Sequence, residues 1–177
     1  GATAGVTTGG DDVIAANMLV SNAGMKFTTA ATLPDKFVAK LFALTVSQDT
    51  TVGASGDDVF TAGVAQNGAG KLINTLQNVD SLNGGDGAGD TLNVTLDATD
   101  AGAADIVTPT LTSIENVNLR VTKTGSALDL TGSTGVKTLT VANSTAATGD
   151  ITSVGDASLA IKNQNTDVWF SKSTATT

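Results

Sequence analysis

The fold is decided by two glycine-rich turns, Gly53-Ala54-Ser55-Gly56-Asp57-Asp58-Val59-Phe60 and Gly84-Gly85-Asp86-Gly87-Ala88-Gly89-Asp90-Thr91-Leu92. In each turn, glycines precede an aspartate, and an apolar residue follows two positions after it. Glycine lets the backbone curl so that successive carbonyls converge, and aspartate adds a carboxylate. Calcium takes about six to eight oxygen ligands of these two kinds. The turns therefore predict bound Ca²⁺, with a strand leaving each turn.

The predicted metal site has two classes of residue. Asp57, Asp58, Asp86 and Asp90 supply carboxylates, and the turns are shaped by Gly53, Gly56, Gly84 and Gly87. If two of these carboxylates lie about 5 Å apart on neighbouring strands, they repel by roughly 3 kcal/mol at an effective dielectric near 20. A divalent cation would turn that repulsion into attraction. The alternative is that these aspartates are ordinary turn formers.

The composition favours an all-β protein and excludes several classes of site. The chain has 177 residues, 20 of them glycine, with 40% hydrophobic but only 3% aromatic residues. Small and β-branched side chains suit thin, regularly stacked sheets. There is no cysteine and no histidine, which excludes disulfides, thiolate or imidazole metal sites, and Ser-His-Asp hydrolases.

The charge balance argues against two classes of partner. The chain carries 17 acidic and 9 basic residues, a net charge of -8. Nucleic acid and anionic membrane surfaces attract proteins of the opposite sign. No apolar run approaches the length that crosses a bilayer. We therefore expect no nucleic-acid partner and no membrane insertion.

A repeat of twenty residues runs through the C-terminal half. Leu119, Leu139 and Leu159 are spaced by twenty, and so are Val121, Val141 and Ile161. One short strand per period is typical of stacked coils. The pattern predicts a parallel β-solenoid, β-roll-like, with coils of about 20 residues. Secondary strands are expected at Leu128-Asp129-Leu130 and Asp150-Ile151-Thr152, and the alternative fold is an antiparallel β-sandwich.

The N-terminal part carries the best helix start. In Thr32-Leu33-Pro34-Asp35-Lys36, a cap residue, a first-turn proline and an acid follow in the order that helices favour. Phe37 and Leu41 then fall one turn apart, and the alternation from Phe42 to Val46 predicts a strand. We therefore divide the chain into an N-terminal segment with a short helix, 1–41, and a calcium-turn and β-solenoid domain, 42–177.

Several of these motifs together resemble a known family. They are Leu44-Thr45-Val46, Asp49-Thr50, the two turns with their outgoing strands, and Ile114-Glu115-Asn116-Val117-Asn118-Leu119. Across about residues 42–161 the chain resembles calcium-dependent bacterial surface-layer proteins, which are repeats-in-toxin-related and exported by type I secretion. The resemblance implies an extracellular solenoid whose calcium ions stiffen the chain and join subunits into a sheet. It assigns calcium to Asp58, Asp86 and Asp90.

The sequence departs from the family pattern at the turns. The second turn has one residue more between its glycine pair and Asp90, and the turns stand alone instead of in tandem. Asp57 also occupies a position where the family often has Asn.

The expected function is structural. We expect an extracellular, cell-surface subunit, not an enzyme, that self-assembles into a layer or fibre with copies of itself. The alternatives are an adhesin or carbohydrate-binding module for a cell-surface polysaccharide, and a polysaccharide-acting enzyme using Asp129 and Asp150. Trp169-Phe170 either caps the last coil or forms a subunit contact or a carbohydrate platform.

Overall fold

The computed structural model describes residues 20–21, 24–25, 39–97 and 106–171, and these residues form strands, turns and loops without a helix. The strands are β1 (Val20–Ser21), β2 (Gly24–Met25), β3 (Leu41–Ala43), β4 (Thr50–Val52), β5 (Val59–Ala62), β6 (Val64–Gln66), β7 (Leu72–Asn74), β8 (Ser81–Asn83), β9 (Thr91–Leu96), β10 (Ile106–Val107), β11 (Thr110–Thr112), β12 (Asn116–Val121), β13 (Ala127–Leu128), β14 (Thr138–Ala142), β15 (Asp150–Ile151), β16 (Ser158–Lys162) and β17 (Trp169–Phe170). No described helix is long and apolar enough to cross a membrane.

Parallel pairing dominates the described strands, so the all-β prediction is confirmed and the antiparallel sandwich is not. The main sheet has six strands in the order β16-β14-β12-β9-β5-β3, all paired in parallel. A second parallel sheet has the order β11-β8-β4, and two parallel pairs join β10 to β13 and β15 to β17. Within the described part of the chain, the antiparallel pairs are β1-β2 and β6-β7.

The order of the strands is regular along the chain. After β12 in the main sheet, the chain passes β13, then Thr134, which bridges to Thr112 of β11, and returns to the main sheet as β14. After β14 the chain passes β15 and returns to the main sheet as β16. Each return places the new strand beside the previous one, because the neighbours in the main sheet follow chain order.

The spacing of these returns differs from the twenty residues inferred from the repeat. The paired positions Leu41, Val59, Thr91, Asn116, Thr138 and Ser158 follow one another at intervals of 18, 32, 25, 22 and 20 residues. Leu119 therefore pairs with Val141 and not with Leu139. Because side chains alternate with period 2, a shift of two residues leaves the same side chains facing inward. The strands were thus predicted correctly while one register was wrong.

The core consists of the inward side chains of these strands. In the main sheet, one row aligns Phe42, Phe60, Leu92, Val117, Leu139 and Leu159, and Phe60, Leu92, Val117 and Leu139 are fully buried. The rings of Phe42 and Phe60 stack with centroids 4.7 Å apart. The second sheet contributes Leu82 and Leu111, also fully buried. Burial alternates along β9 and β12, as a sheet with one core-facing side requires.

Other sequence predictions meet the structure unevenly. The secondary strands are confirmed as β13 and β15, extended by a bridge between Asp129 and Thr152. The predicted helix start at 32–36 lies outside the described residues, but Leu41 belongs to strand β3. An antiparallel hairpin of β6 and β7 is present in addition to the strands predicted from the sequence. The boundary between residues 41 and 42 stays a prediction.

Candidate metal centre and the carboxylate column

Three acidic side chains occupy equivalent positions on neighbouring strands. Asp58, Asp90 and Glu115 each stand one residue before Val59, Thr91 and Asn116, which are in register across the main sheet. Asp58 and Asp90 are fully buried, and Glu115 is 7% exposed. We call these three residues the carboxylate column. Lys40 and Lys137 hold the same position on the strands at either side, so basic residues flank the column.

Each carboxylate of the column accepts a backbone hydrogen bond from the preceding strand. Lys40 N donates to Asp58 Oδ1 at 2.5 Å, Asp58 N to Asp90 Oδ1 at 2.6 Å, and Asp90 N to Glu115 Oε2 at 3.0 Å. Charge-assisted bonds of this kind are stronger than bonds between neutral groups. The column therefore links successive strands of the main sheet by hydrogen bonds at the residue that precedes each strand.

Glu115 was not assigned a role from the sequence. It is the only glutamate in the chain, and its Oε1 lies 3.5 Å from Lys137 Nζ. A signal was present, because Asp58, Asp90 and Glu115 each stand two residues before a buried core residue: Phe60, Leu92 and Val117. That acid-x-apolar spacing is what aligns them once the strands pair.

The two turns treat their aspartates differently. In the first turn, Ala54 N donates to Asp58 Oδ2 at 2.5 Å, so both oxygens of Asp58 are satisfied by backbone. In the second turn, Gly85 N donates instead to Asn83 Oδ1 at 2.9 Å. Asp90 Oδ2 is consequently buried with no hydrogen-bond partner. The second turn has one residue more between Gly84 and Asp90 than the first turn has between Gly53 and Asp58.

The environment of Asp90 disfavours its charge. Burial raises the pKa of Asp90, the hydrogen bond from Asp58 N lowers it, and the negative charges of Glu115, Asp58 and Asp57 raise it further. A buried carboxylate oxygen without a donor is costly. Asp90 is therefore the member of the column at which a cation or a proton would be most stabilising.

The predicted glycines pack directly on this group. A side chain at Gly84 would overlap Ser113 O and the Asp90 carboxylate, and one at Gly53 would overlap Gly84 O and Asp58 Oδ2. A Cβ on Gly87 would lie 2.7 Å from each oxygen of Asp90 and from Gly56 O. Gly56 O and the Asp90 carboxylate thus converge beside Gly87. Beside Gly53, Gly84 O and Asp58 Oδ2 converge in the same way, but both oxygens of Asp58 already accept backbone hydrogen bonds.

The other two predicted ligands lie outside the column. Asp57 is exposed, and its Oδ1 accepts hydrogen bonds from Ala88 N at 3.0 Å and Gly89 N at 2.9 Å. Asp57 thereby ties the first turn to the second. Asp86 is exposed as well, and its backbone N donates to Ala54 O at 3.2 Å. The structure brings Asp58 and Asp90 together in the core and leaves Asp57 and Asp86 on the surface of the turns.

A side-chain-only metal cluster is not present among the described residues. Within 39–97 and 106–171, no three or more Asp, Glu, His or Cys side chains are placed to hold one ion. An ion bound at the turns would therefore need backbone carbonyls such as Gly56 O beside the Asp90 carboxylate. Calcium accepts such mixed ligand sets. The buried, unpartnered Asp90 Oδ2 fits this requirement, whereas Asp58 has no unsatisfied oxygen.

Another buried aspartate, Asp80, accepts backbone hydrogen bonds in the same way as Asp58. Asp80 is 1% exposed and accepts hydrogen bonds from Asp49 N and Gln77 N, both at 2.8 Å. Burial raises the pKa of Asp80, the two backbone hydrogen bonds lower it, and the negative charge of Asp49 raises it. Both oxygens of Asp80 are satisfied. It therefore explains strand pairing and not ligand binding.

The pair considered for catalysis is not arranged as a pair. Asp129 bridges to Thr152, while Asp150 pairs with Trp169, so the two aspartates occupy different register positions. The hydrogen bond from the Thr131 hydroxyl lowers the pKa of Asp129, which is opposite to the shift of a general acid. Trp169 and Phe170 form the last strand and are 61% and 48% exposed.

The comparisons with known proteins add no relative to this site. No protein-family model, curated protein or solved structure matches the chain.

Proposed function

We propose that the chain is a calcium-stabilised β-solenoid that serves as a self-assembling structural subunit of an extracellular cell-surface layer or fibre. Support for the solenoid comes from the main sheet, whose six strands follow chain order in parallel. A second parallel sheet and two parallel pairs accompany it. Such a fold stacks coils and presents extended surfaces for binding.

The observation that carries the calcium proposal is Asp90 Oδ2. It is buried without a donor in a column of three carboxylates, and it lies beside the carbonyl oxygen of Gly56. A divalent cation between the turns would offset the repulsion among Asp57, Asp58, Asp90 and Glu115. In this proposal Asp90 is the central ligand, Gly56 gives a carbonyl, and the exposed Asp86 and Asp57 lie on the surface of the turns. Gly53, Gly84 and Gly87 let the oxygens of the turns approach closely, because a Cβ at each position would overlap them. Asp58 positions the strands.

The assembly and localisation are supported by composition and resemblance. A surplus of carboxylates and the absence of cysteine and histidine suit a calcium-dependent extracellular module. Extracellular calcium modules typically bind with Kd values of about 10⁻⁴–10⁻³ M. We therefore expect weak, saturable binding in that range.

Calorimetric titration with calcium chloride, after removal of bound ions with chelator, tests the metal assignment. The parent protein is expected to bind, and Asp90→Asn to bind at least about tenfold more weakly, a loss of about 1.4 kcal/mol. Asp167→Asn, which removes an exposed carboxylate away from the turns, is the matched control and should bind like the parent. Equal binding by the parent and Asp90→Asn would remove the assignment.

A further inference from the structure

A shallow groove crosses the outward side of the main sheet. Its volume is about 240 Å³, and it is lined by residues that include Thr61, Asn93, Thr95, Asn118, Arg120 and Asn143. Small-molecule sites usually measure about 300–1,000 Å³. The groove is therefore better matched to one large side chain than to a cofactor.

The outward side of this sheet is free of acids in an acidic protein. In β3, β5, β9, β12, β14 and β16, the positions that alternate with the core residues include no Asp or Glu. The charged residues among them are Arg120 and Lys162, although the chain as a whole has a net charge of -8. Arg120 is the only arginine in the chain, and its Nε donates to Asn143 O at 3.1 Å. We call this surface the Arg120 groove.

A surface of the opposite character lies on the last strand. Trp169 is 61% exposed and pairs in register with Asp150, which is exposed on the neighbouring strand. Asp167, two residues before Trp169, is exposed as well. We call Trp169, Asp150 and Asp167 the β17 patch. It combines a large aromatic ring with two carboxylates.

We propose that the β17 patch of one copy docks into the Arg120 groove of a second copy of this chain. The charges are complementary, since the patch is acidic and the groove basic. A guanidinium stacks on an indole face and pairs with a carboxylate at the same time, which lysine does less well. Trp and Arg are also the residues that most often dominate interface energetics.

The proposed contact has a consequence for the assembly. The groove and the patch are different surfaces, so the contact is head-to-tail, and repetition gives an open filament or a closed ring. The inference rests on the proposed function in one respect, namely that the chain self-assembles. It adds the two surfaces that meet and the residues that join them.

Intrinsic fluorescence reads this contact directly, because Trp169 is the only tryptophan and the chain has no tyrosine. As concentration rises into the range where sedimentation velocity shows oligomers, Trp169 emission is expected to shift to shorter wavelength, and acrylamide quenching to fall. Arg120→Gln should remove both changes and leave the protein monomeric, and so should Asp150→Asn from the other side. Lys71→Gln, which makes the same charge change on the β6–β7 hairpin, should behave like the parent.

The charge-exchanged double variant Arg120→Glu, Asp150→Arg is expected to recover assembly that Arg120→Glu alone loses. Assembly of the parent with unchanged Trp169 emission would overturn this contact and leave the proposed function standing. So would assembly of a folded Arg120→Gln protein at the parental concentration. A parent that stays monomeric at all concentrations, with and without calcium, would overturn the contact together with the proposed self-assembly.

Discussion

At the scale of single residues, one buried oxygen distinguishes the second turn from the first. Both oxygens of Asp58 accept backbone N–H groups, whereas Asp90 Oδ2 accepts none, because Gly85 N is taken by the Asn83 side chain. The same type of residue therefore acts as a strand clip in one turn and as a candidate ligand in the next. The turn that carries the candidate ligand is also the longer of the two by one residue.

The pH dependence of stability in chelator should reveal Asp90. Its pKa is raised in the folded state, so the folded protein takes up this proton before the unfolded chain, whose value lies near 3.8. The free energy of unfolding is therefore expected to rise as the pH falls from 7 toward the unfolded-state pKa of Asp90. This is the reverse of ordinary acid denaturation. Asp80, whose pKa is also raised, changes the free energy of unfolding in the same direction. Asp129 has a lowered pKa, so the stability that it contributes is lost only as the pH falls to its unfolded-state pKa and below.

Asp90→Asn should raise the free energy of unfolding at pH 7 in chelator by about 1 kcal/mol, since it removes a buried charge and brings an amide donor. It should also flatten the pH dependence without abolishing the part due to Asp80. Urea unfolding at pH 7 and pH 5 measures both effects. A variant that is less stable than the parent at pH 7, with an unchanged pH profile, would show that Asp90 is not under electrostatic strain.

The glycines of the turns make a steric prediction. Gly84→Ala is expected to lower the free energy of unfolding by at least about 2 kcal/mol, because the new methyl group would overlap Ser113 O and the Asp90 carboxylate. Gly63→Ala is the matched control, since a Cβ there has no atom within 4 Å. Thermal or urea unfolding compares the two, and equal losses would mean that close packing at the turn is not the cause.

At the scale of elements, the register of β12 on β14 is the sharpest test of the fold. Asn118 pairs with Thr140, whereas a strict period of twenty residues would place it opposite Thr138. Because the chain has no cysteine, engineered pairs can be read cleanly. Asn118→Cys with Thr140→Cys should cross-link on mild oxidation. Asn118→Cys with Thr138→Cys should not, since disulfides require Cα atoms within about 7 Å. Free-thiol titration scores the pairs, and the opposite result would restore the twenty-residue register.

Most of these strands, and fewer of the connections between them, can be predicted from the sequence. Alternation is local, so the strands around Leu92, Leu119, Leu139 and Leu159 could be identified from their own residues. The interval between strands depends on loops, which tolerate changes of length at little cost. The hairpin β6–β7 and the interval of 32 residues that contains it had no periodic signal.

The candidate site was predicted in composition but not in arrangement. Asp58 and Asp90 were both identified, and they lie on neighbouring strands as the repulsion argument assumed. Their unequal hydrogen bonding depends on where Ala54 N and Gly85 N point, which a sequence pattern does not specify. Glu115 joins them only through pairing across strands, since it lies 25 residues from Asp90 in the chain.

At the scale of the whole molecule, side chains of similar character line up in rows across the sheets. Apolar rows form the core, the carboxylate column links the strands of the main sheet just before each begins, and the outward side is mostly polar and free of acids. In the main sheet, each strand pairs with strands that are its neighbours in chain order. A cation at the carboxylate column would therefore stiffen the molecule locally, and the exposed last strand would remain available for a second copy.

The most direct test of the account is electron microscopy of the purified protein with and without calcium, paired with sedimentation velocity. We expect ordered layers or fibres when calcium is added, dispersal when chelator follows, and loss of the calcium response in Asp90→Asn but not in Asp156→Asn, which removes an exposed carboxylate outside the two turns and outside the β17 patch. A parent protein that remains monomeric and unchanged by calcium and by chelator would contradict it.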